Sequence, residues 1–167
     1  MLRRLGQCLN SAFQLYSMPC DAPIYVDNPR PWTGTLYVPV PCGSCAVCQR
    51  NRVTSWVFRL KQEDKVSTSS YFVTLTYDNE HVPLSANRFP TLRKEDLRLF
   101  WKRLRRRNKS KIRYYVVGEY GSKTKRPHYH AIVFNVEDTN YFVEAWQNGH
   151  VGIGTVTHKS IGYTAGS

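Results

Sequence analysis

The spacing of hydrophobic and polar positions predicts regular secondary structure from residue 44 onward. Apolar residues at helical spacing predict a first helix over residues 44–65. A dense run of β-branched and aromatic residues predicts a strand over residues 71–77. An apolar stripe between Leu97 and Leu104 predicts a second helix, with Thr91 as its expected N-cap.

The next part of the chain begins with two runs of β-formers, residues 112–119 and 128–134, joined by a polar turn. They predict a β-hairpin. A helix near residues 141–146, a strand over residues 151–156 and a last helix from about His158 follow. Counted from the first strand, six elements give the order β-α-β-β-α-β. This α+β, ferredoxin-like pattern predicts an antiparallel central sheet with the hairpin in its middle.

Residues 1–43 differ in composition, because they contain six of the nine prolines. They predict an irregular, Pro-rich N-terminal segment in front of a domain that covers residues 44–167. A chain of 167 residues fits a single globular domain, with the cysteine-rich and helical N-terminal part as an extension.

Charge changes the picture, since 24 basic against 12 acidic residues give a net charge of +12. Such an excess suits a polyanion, most simply a nucleic acid. The segment 88–113 alone holds twelve Lys and Arg against two acids. We expect this segment to contact a phosphate backbone. The predicted DNA-binding residues are Arg93, Lys94, Arg98, Lys102, Arg103, Arg105, Arg106, Arg107, Lys109, Lys111 and Arg113.

Two cellular destinations are not expected. No run of about 18 apolar residues would cross a membrane. The basic N-terminus is not followed by a long apolar segment, so a secretory signal is not expected.

Cys42, Cys45 and Cys48 have C-x-x-C-x-x-C spacing, which suits a soft or borderline metal such as zinc. Zinc needs a fourth ligand, for which Cys20 is the natural candidate and Cys8 the next. An iron–sulfur cluster is less favoured, because no fourth cysteine followed by proline is present. The alternative is three reduced thiols at the start of a helix.

The predicted hairpin carries candidate metal ligands. His128 and His130 are two residues apart on one strand, so their side chains share a face. Glu119 lies on the preceding strand, where antiparallel pairing would bring it beside them. Two imidazoles and a carboxylate form a plausible site for a divalent metal, whereas the alternative is a polar face of the sheet. The apolar run 131–134 favours the metal site, because buried imidazoles need partners.

At these residues the chain resembles the HUH endonucleases, whose motif is His-hydrophobe-His on a strand. It most resembles the replication initiation proteins of gokushovirus-type Microviridae phages. The matching segments are Pro41–Cys48, Leu75–Pro83, Gly118–Gly121 and Arg126–His130. The resemblance implies the same β-α-β-β-α-β core, and it spans roughly residues 40–167.

The resemblance also implies a chemistry. Glu119, His128 and His130 would hold Mn²⁺ or Mg²⁺ against the scissile phosphate, and Tyr163 would attack it to leave a 5′-phosphotyrosine and a free 3′-OH. Lys159 is a tentative aid to deprotonation of the tyrosine. Family members often carry a second tyrosine four residues after the first, a place that Ser167 occupies here.

The implied partners are single-stranded DNA of a viral origin and the host replication machinery, in the cytoplasm of an infected bacterium. One alternative is a non-catalytic module that binds single-stranded nucleic acid, which would explain the charge and the aromatic residues equally well. A transposase or relaxase of the same superfamily is the other alternative.

Overall fold

The computed structural model of the protein describes residues 20–166. They fall into two compact units, of which the first ends at Arg52 and the second begins at Val53. The division lies inside the long helix α1 (Ala46–Val66), whereas the sequence predicted a boundary at residue 44. Among the residues that the structure describes, no helix is both long and apolar enough to cross a membrane.

The first unit contains a short antiparallel hairpin followed by the start of α1. Its strands are β1 (Ile24–Asp27) and β2 (Tyr37–Val40), and a 3-10 turn, Pro31–Thr33, lies between them. The Asn28 side chain closes this loop by donating to the Thr33 hydroxyl at 3.0 Å. We expected an irregular segment, since proline within a run argues against a central strand. Pro39 is accommodated because β2 belongs to a two-stranded sheet and has an open edge.

The second unit has the predicted β-α-β-β-α-β order, with the last helix after it. Its elements after α1 are β3 (Ser70–Tyr77), α2 (Lys94–Arg107), β4 (Arg113–Tyr120), β5 (Pro127–Phe134), α3 (Asn140–Ala145), β6 (Gly149–Thr155) and α4 (His158–Gly166). The four strands form one antiparallel sheet in the order β4-β5-β3-β6. The predicted α+β class and antiparallel central sheet are therefore confirmed.

The position of the hairpin β4–β5 differs in part from the prediction. Its second arm, β5, lies inside the sheet between β3 and β4, but its first arm, β4, is an edge strand. The reason is the pairing of β5 with β3 over residues 70–76, which leaves the far side of β4 without a neighbouring strand among the described residues. The prediction that the whole hairpin occupies the middle of the sheet was wrong.

Helices cover both faces of the sheet. On one face, Phe100 and Leu104 of α2 and Phe142 of α3 pack with buried residues such as Val73 and Ala131. On the other face, Leu60 of α1 and Ile161 of α4 pack with Ile132 and Phe134 of β5. His128 and His130 have the same parity in β5 as Ile132, so they share the face that carries α1 and α4. We call this the metal face and the other the α2 face.

The start of α2 is organised by a buried carboxylate. Asp96 is 2% exposed, accepts a 2.8 Å bond from the Tyr77 hydroxyl and pairs with the Arg93 guanidinium. The N-cap is Arg93, with no capping bond from its side chain, so the prediction of Thr91 as N-cap was wrong. The charge of Asp96 in the first turn suits the positive end of the helix dipole.

Candidate functional site

The register of the hairpin brings the three candidate metal ligands together. Glu119 is directly opposite His128 in the pairing of β4 with β5, and His130 is two residues further along β5. Directly opposed residues share a face of the sheet, so all three side chains lie on the metal face. One ligand atom from each lies within 4.8 Å of the others. The sequence predicted this convergence from the alternation of side chains alone.

Hydrogen bonds orient the two imidazoles for metal binding. Nδ1 of His128 lies 3.1 Å from the carbonyl oxygen of Arg126, which can only accept, so Nδ1 carries the proton. The lone pair of neutral His128 is then on Nε2. Nδ1 of His130 lies 3.1 Å from the Thr74 hydroxyl, and its Nε2 lies 3.7 Å from Oε2 of Glu119. Second contacts of this kind fix the ring orientation of metal-binding histidines.

Burial also keeps His130 in the form that binds metal. It lowers the pKa of His130 below its ordinary value, and the neighbouring His128 lowers it further, whereas the Glu119 carboxylate partly opposes the change. The imidazole is therefore neutral at pH 7, with a nitrogen lone pair to donate.

Tyr163 reaches the same group from α4. Its hydroxyl donates a 2.6 Å hydrogen bond to Oε2 of Glu119, and its ring lies edge-on to His130 with 5.3 Å between the ring centroids. The side chain is 47% exposed, so the phenol oxygen is also accessible from solvent. The structure thus joins the predicted nucleophile to the predicted metal ligands. The second predicted position, Ser167, lies outside the described residues.

A cavity of about 320 Å³ opens beside Tyr163. Its lining residues are Phe72, His130, Thr157, Lys159, Ser160 and Tyr163. Lys159, the tentative aid to deprotonation, therefore lies in the same cavity as the phenol, although Glu119 is the group bonded to the hydroxyl. Phe72 stacks on His130 at 5.4 Å with an angle of 10° between the rings. The sequence analysis treated Phe72 as a core residue only, yet its parity in β3 matches that of Thr74.

Two further basic residues lie near this group and were not predicted as site residues. His150 of β6 and His128 of β5 both pair with Thr76, so the three are in one row across the metal face. Arg126 donates to the Tyr77 carbonyl at 3.0 Å and to the Asn79 side chain. Only the strand register, which the sequence alone did not supply, could have identified His150.

The predicted DNA-binding residues do not surround the metal ligands. Most of them belong to α2, which packs on the opposite face of the sheet. Arg113 is an exception, because it has the parity of Glu119 in β4 and pairs with Glu63 of α1 at 2.6 Å. Six residues separate it from Glu119 along the strand, a distance of about 20 Å.

Several of these cations are also neutralised by acids or held by other groups. Ion pairs join Arg93 to Asp96, Arg98 to Glu95 and Arg107 to Glu144. The Arg105 guanidinium lies over the ring of Tyr114, and Arg103 donates to the carbonyl of Ala145. The basic surface is therefore less one-signed than the sequence indicated. Lys102 and Arg106 lie one turn apart on α2 and are exposed.

The four cysteines form a second group, inside the first unit. The sulfurs of Cys20, Cys42, Cys45 and Cys48 all lie within 4.8 Å of one another, and the four residues are free thiols. The structure thus brings Cys20, the fourth ligand expected first, to the other three, whereas Cys8 lies outside the described residues. The backbone N–H of Cys45 and the Ser44 hydroxyl lower the pKa of Cys42 to about 6. At neutral pH this thiol is therefore largely a thiolate, the form that binds metals.

Comparison with known proteins gives consistent matches. The family of the replication-associated protein ORF2 matches residues 70–166, which fall in the second unit. Replication-associated protein VP4 of Bdellovibrio phage phiMH2K is 32% identical over 150 residues, which are 75% of this chain and 46% of that protein. Replication-associated protein ORF2 of Spiroplasma virus 4 is 33% identical over 148 residues, with the same two shares.

A third relative, Replication-associated protein ORF4 of Chlamydia phage 1, is 31% identical over 152 residues and 37% of its length is covered. The chain thus spans less than half the length of these curated relatives. No solved structure matches it. The predicted resemblance to phage replication proteins is confirmed, and the chain belongs to the family of the replication-associated protein ORF2.

Proposed function

We propose that this protein is a replication initiator that nicks single-stranded DNA at a phage origin by metal-dependent transesterification. The observation that carries the proposal is the 2.6 Å hydrogen bond from the Tyr163 hydroxyl to Glu119, a member of the carboxylate–imidazole group. A nucleophile in contact with a potential metal ligand is the arrangement that phosphoryl transfer by a tyrosine requires. The phage relatives, whose names describe them as replication-associated, support the same role.

The donor set fits a divalent cation. Glu119, His128 and His130 offer one oxygen and two nitrogens within 4.8 Å of one another, and the hydrogen bond of His128 to a carbonyl leaves its Nε2 unprotonated. When bound, Mn²⁺ or Mg²⁺ would supply Lewis-acid chemistry to a phosphate oxygen. The two imidazoles favour Mn²⁺, since Mg²⁺ prefers oxygen ligands.

Tyr163 is the proposed nucleophile. Its phenol oxygen forms a bond to the scissile phosphorus, and the bond from phosphorus to the 3′ oxygen breaks. The products are a 5′-phosphotyrosine and a free 3′-OH, and the proton lost by the phenol balances the one that the 3′ oxygen takes up. Because tyrosine has a reference pKa of about 10, it needs a proton acceptor. Glu119 accepts its hydrogen bond, and the Lys159 ammonium in the same cavity would stabilise a phenolate.

The cavity beside Tyr163 supports an unpaired DNA strand as the substrate. Its volume of about 320 Å³ and the stacked rings of Phe72 and His130 suit a flat base that has left a duplex. Arg126 and His150 lie on the metal face near His128 and would neutralise phosphates that flank the scissile one.

The basic residues of α2 would bind DNA at a second place. A helix about 10 Å in diameter on the opposite face puts their charges on the order of 20 Å from the metal ligands. Their contacts would therefore be with DNA remote from the scissile phosphate, such as a flanking duplex. The free 3′-OH would serve a polymerase of the host, in the cytoplasm of an infected bacterium.

A covalent-adduct assay tests the proposal. Labelled single-stranded DNA from the parent replicon's origin is mixed with the full chain, with and without Mn²⁺, and resolved on a denaturing gel. We expect a metal-dependent shifted band that Tyr163→Phe and His130→Ala abolish. Tyr25→Phe, which alters an exposed tyrosine of the first unit, should leave it unchanged.

DNA binding without an adduct would overturn the transesterase and favour a non-catalytic binding module. An adduct that survives Tyr163→Phe would overturn the assignment of the nucleophile. If Ser167→Tyr alone produces an adduct, the nucleophile is the second position of the family.

A further inference from the structure

The first unit has almost no hydrophobic core of its own. Within residues 20–52, Cys48 is the one residue that is buried. Large apolar side chains of the hairpin stay exposed, among them Trp32 at 79%, Leu36 at 74% and Tyr25 at 67%. A two-stranded hairpin alone is marginally stable in water at best. Units below about 40 residues usually need a disulfide, a metal or an oligomer contact.

Four thiols lie where such a stabilising link would be expected. Cys20 precedes β1 and Cys42 follows β2, so together they close the base of the hairpin. Cys45 directly precedes α1, and Cys48 is in its first turn. None of the four forms a disulfide. A single ion held by all four would tie both ends of the hairpin to the start of the helix.

The distances suit one tetrahedral ion. Zn–S bonds of about 2.3 Å put the sulfurs of a tetrahedron about 3.8 Å apart. The sulfur of Cys20 lies 3.9 Å from that of Cys45 and 3.5 Å from that of Cys48, and all four sulfurs lie within 4.8 Å.

Backbone N–H groups also point at the sulfurs. The amide of Cys45 donates to Cys42 at 3.3 Å, that of Cys48 to Cys45 at 3.5 Å, and that of Cys42 to Cys20 at 3.4 Å. Such donors stabilise negative charge on sulfur, which four thiolates around a dication accumulate. The arrangement therefore has both ligands and the contacts that support them.

We infer that Cys20, Cys42, Cys45 and Cys48 bind one Zn²⁺ and that this ion is required to fold the hairpin of the first unit. The all-sulfur donor set selects a soft or borderline ion over Mg²⁺ or Mn²⁺. The site is separate in chemistry from the carboxylate–imidazole group, and it does not depend on the nicking activity. Metal binding then supplies the folding free energy that apolar burial does not.

Metal content and cobalt spectroscopy test the ligands. We expect one zinc per chain by mass spectrometry of the purified full-length protein. Replacement by Co²⁺ should give the intense thiolate charge-transfer and tetrahedral d–d bands of a four-sulfur site. Cys20→Ser should lose the ion or shift these bands, whereas Cys8→Ser, the matched cysteine control, should retain both. His130→Ala should also retain the zinc.

Several results would overturn the assignment. They are a chain without zinc that still forms the hairpin, iron in place of zinc, or loss of the ion in Cys8→Ser but not in Cys20→Ser. Failure of the nicking assay with zinc present would overturn the proposed function and leave this inference intact.

Hydrogen exchange tests the role in folding. After zinc is removed with a chelator, we expect the amides of residues 24–40 to lose protection, while those of the central strands β3 and β5 keep it. Cys45→Ser should give the same pattern without a chelator. Unchanged protection in the hairpin after complete loss of zinc would show that the ion is not needed for folding.

Discussion

Oε2 of Glu119 accepts the 2.6 Å hydrogen bond of the Tyr163 hydroxyl and lies 3.7 Å from Nε2 of His130. One carboxylate oxygen thus touches the candidate nucleophile and faces a candidate metal ligand. The two side chains come from β4 and α4, which are 44 positions apart at these residues. The last helix therefore contributes to the site through this contact as well as through its packing on the sheet.

Glu119→Gln should weaken Mn²⁺ binding about tenfold or more, because it removes the negative ligand and retains the size of the side chain. The amide oxygen can still accept a hydrogen bond from Tyr163, so the position of α4 should change little. Titration of Mn²⁺ followed by electron paramagnetic resonance measures the affinity. Asp27→Asn, in the exposed hairpin of the first unit, is the charge-matched control. Equal affinities for the two variants would exclude Glu119 as a ligand.

Lys102→Glu combined with Arg106→Glu should weaken binding of long DNA and spare the chemistry. Both residues are exposed on α2, on the face of the sheet opposite to His128 and His130. The slope of log affinity against log salt should flatten by about 0.7 for each phosphate of a single strand that the variant no longer neutralises. Affinity and nicking rates are compared for a long origin strand and for a short oligonucleotide.

The short oligonucleotide should be nicked at the same rate by this double variant and by the unaltered protein. Lys65→Glu, an exposed change near the end of α1, is the control for charge alone. An equal loss of nicking on short and long DNA would mean that α2 acts at the scissile phosphate, contrary to its place on the opposite face.

The order of elements was predictable because each strand and helix has a strong local pattern. The alternation of side chains at His128 and His130, with Glu119 on the preceding strand, was enough to predict the three-residue group. The assignment of helices to faces was not predictable, since it depends on how the crossovers pass over the sheet. The basic stripe of α2 therefore suggested a surface at the site, whereas its apolar residues Phe100 and Leu104 hold it on the other face.

The hairpin of the first unit was missed for a different reason. Prolines and exposed aromatic residues hide the strand pattern of residues 24–40, and the strands bury too little to create a clear alternation. The cysteine spacing indicated a metal, but the approach of Cys20 to Cys42 requires the chain reversal that the hairpin provides. Hairpin and thiol group could only be inferred together.

Stability should fall above about pH 10, and Tyr77→Phe should reduce that fall. Burial raises the pKa of Tyr77 above its ordinary value, and its contacts with Tyr129 and Asp96 raise it further. The folded state therefore keeps a proton that the unfolded chain releases, so the contribution of this group is complete below about pH 10 and is lost as the pH rises. Urea unfolding at pH 8 and above pH 10 measures the difference.

Arg93 also faces the same carboxylate, and it stays charged throughout this range. Tyr77→Phe should cost about 1 kcal/mol at pH 8, because the buried Asp96 loses one donor. Tyr37→Phe, an exposed tyrosine in β2, should leave both the stability and its pH dependence unchanged. The same decline with pH in Tyr77→Phe and in the unaltered protein would exclude Tyr77 as its source.

Gly149→Ala should destabilise the second unit by more than about 2 kcal/mol, whereas Gly152→Ala should cost less than about 1 kcal/mol. Gly149 begins β6 with φ +144°, and a Cβ there would lie 2.4 Å from the Thr76 carbonyl oxygen and from the Asp78 amide nitrogen. Both atoms belong to the backbone of the neighbouring strand end and cannot move aside cheaply. At Gly152, the nearest atom to an added Cβ is that of Thr74 at 3.6 Å, an ordinary contact.

Equilibrium urea unfolding followed by tryptophan fluorescence compares the two variants, since Trp146 packs beside Tyr77 in the α2-face core. The pairing of Thr76 with both His128 and His150 depends on the register that Gly149 permits. A loss of stability at Gly149 should therefore be accompanied by weaker Mn²⁺ binding, because β3 supports the strand that carries both imidazoles. If Gly149→Ala is as stable as Gly152→Ala, the close approach of β6 to the end of β3 is incorrect.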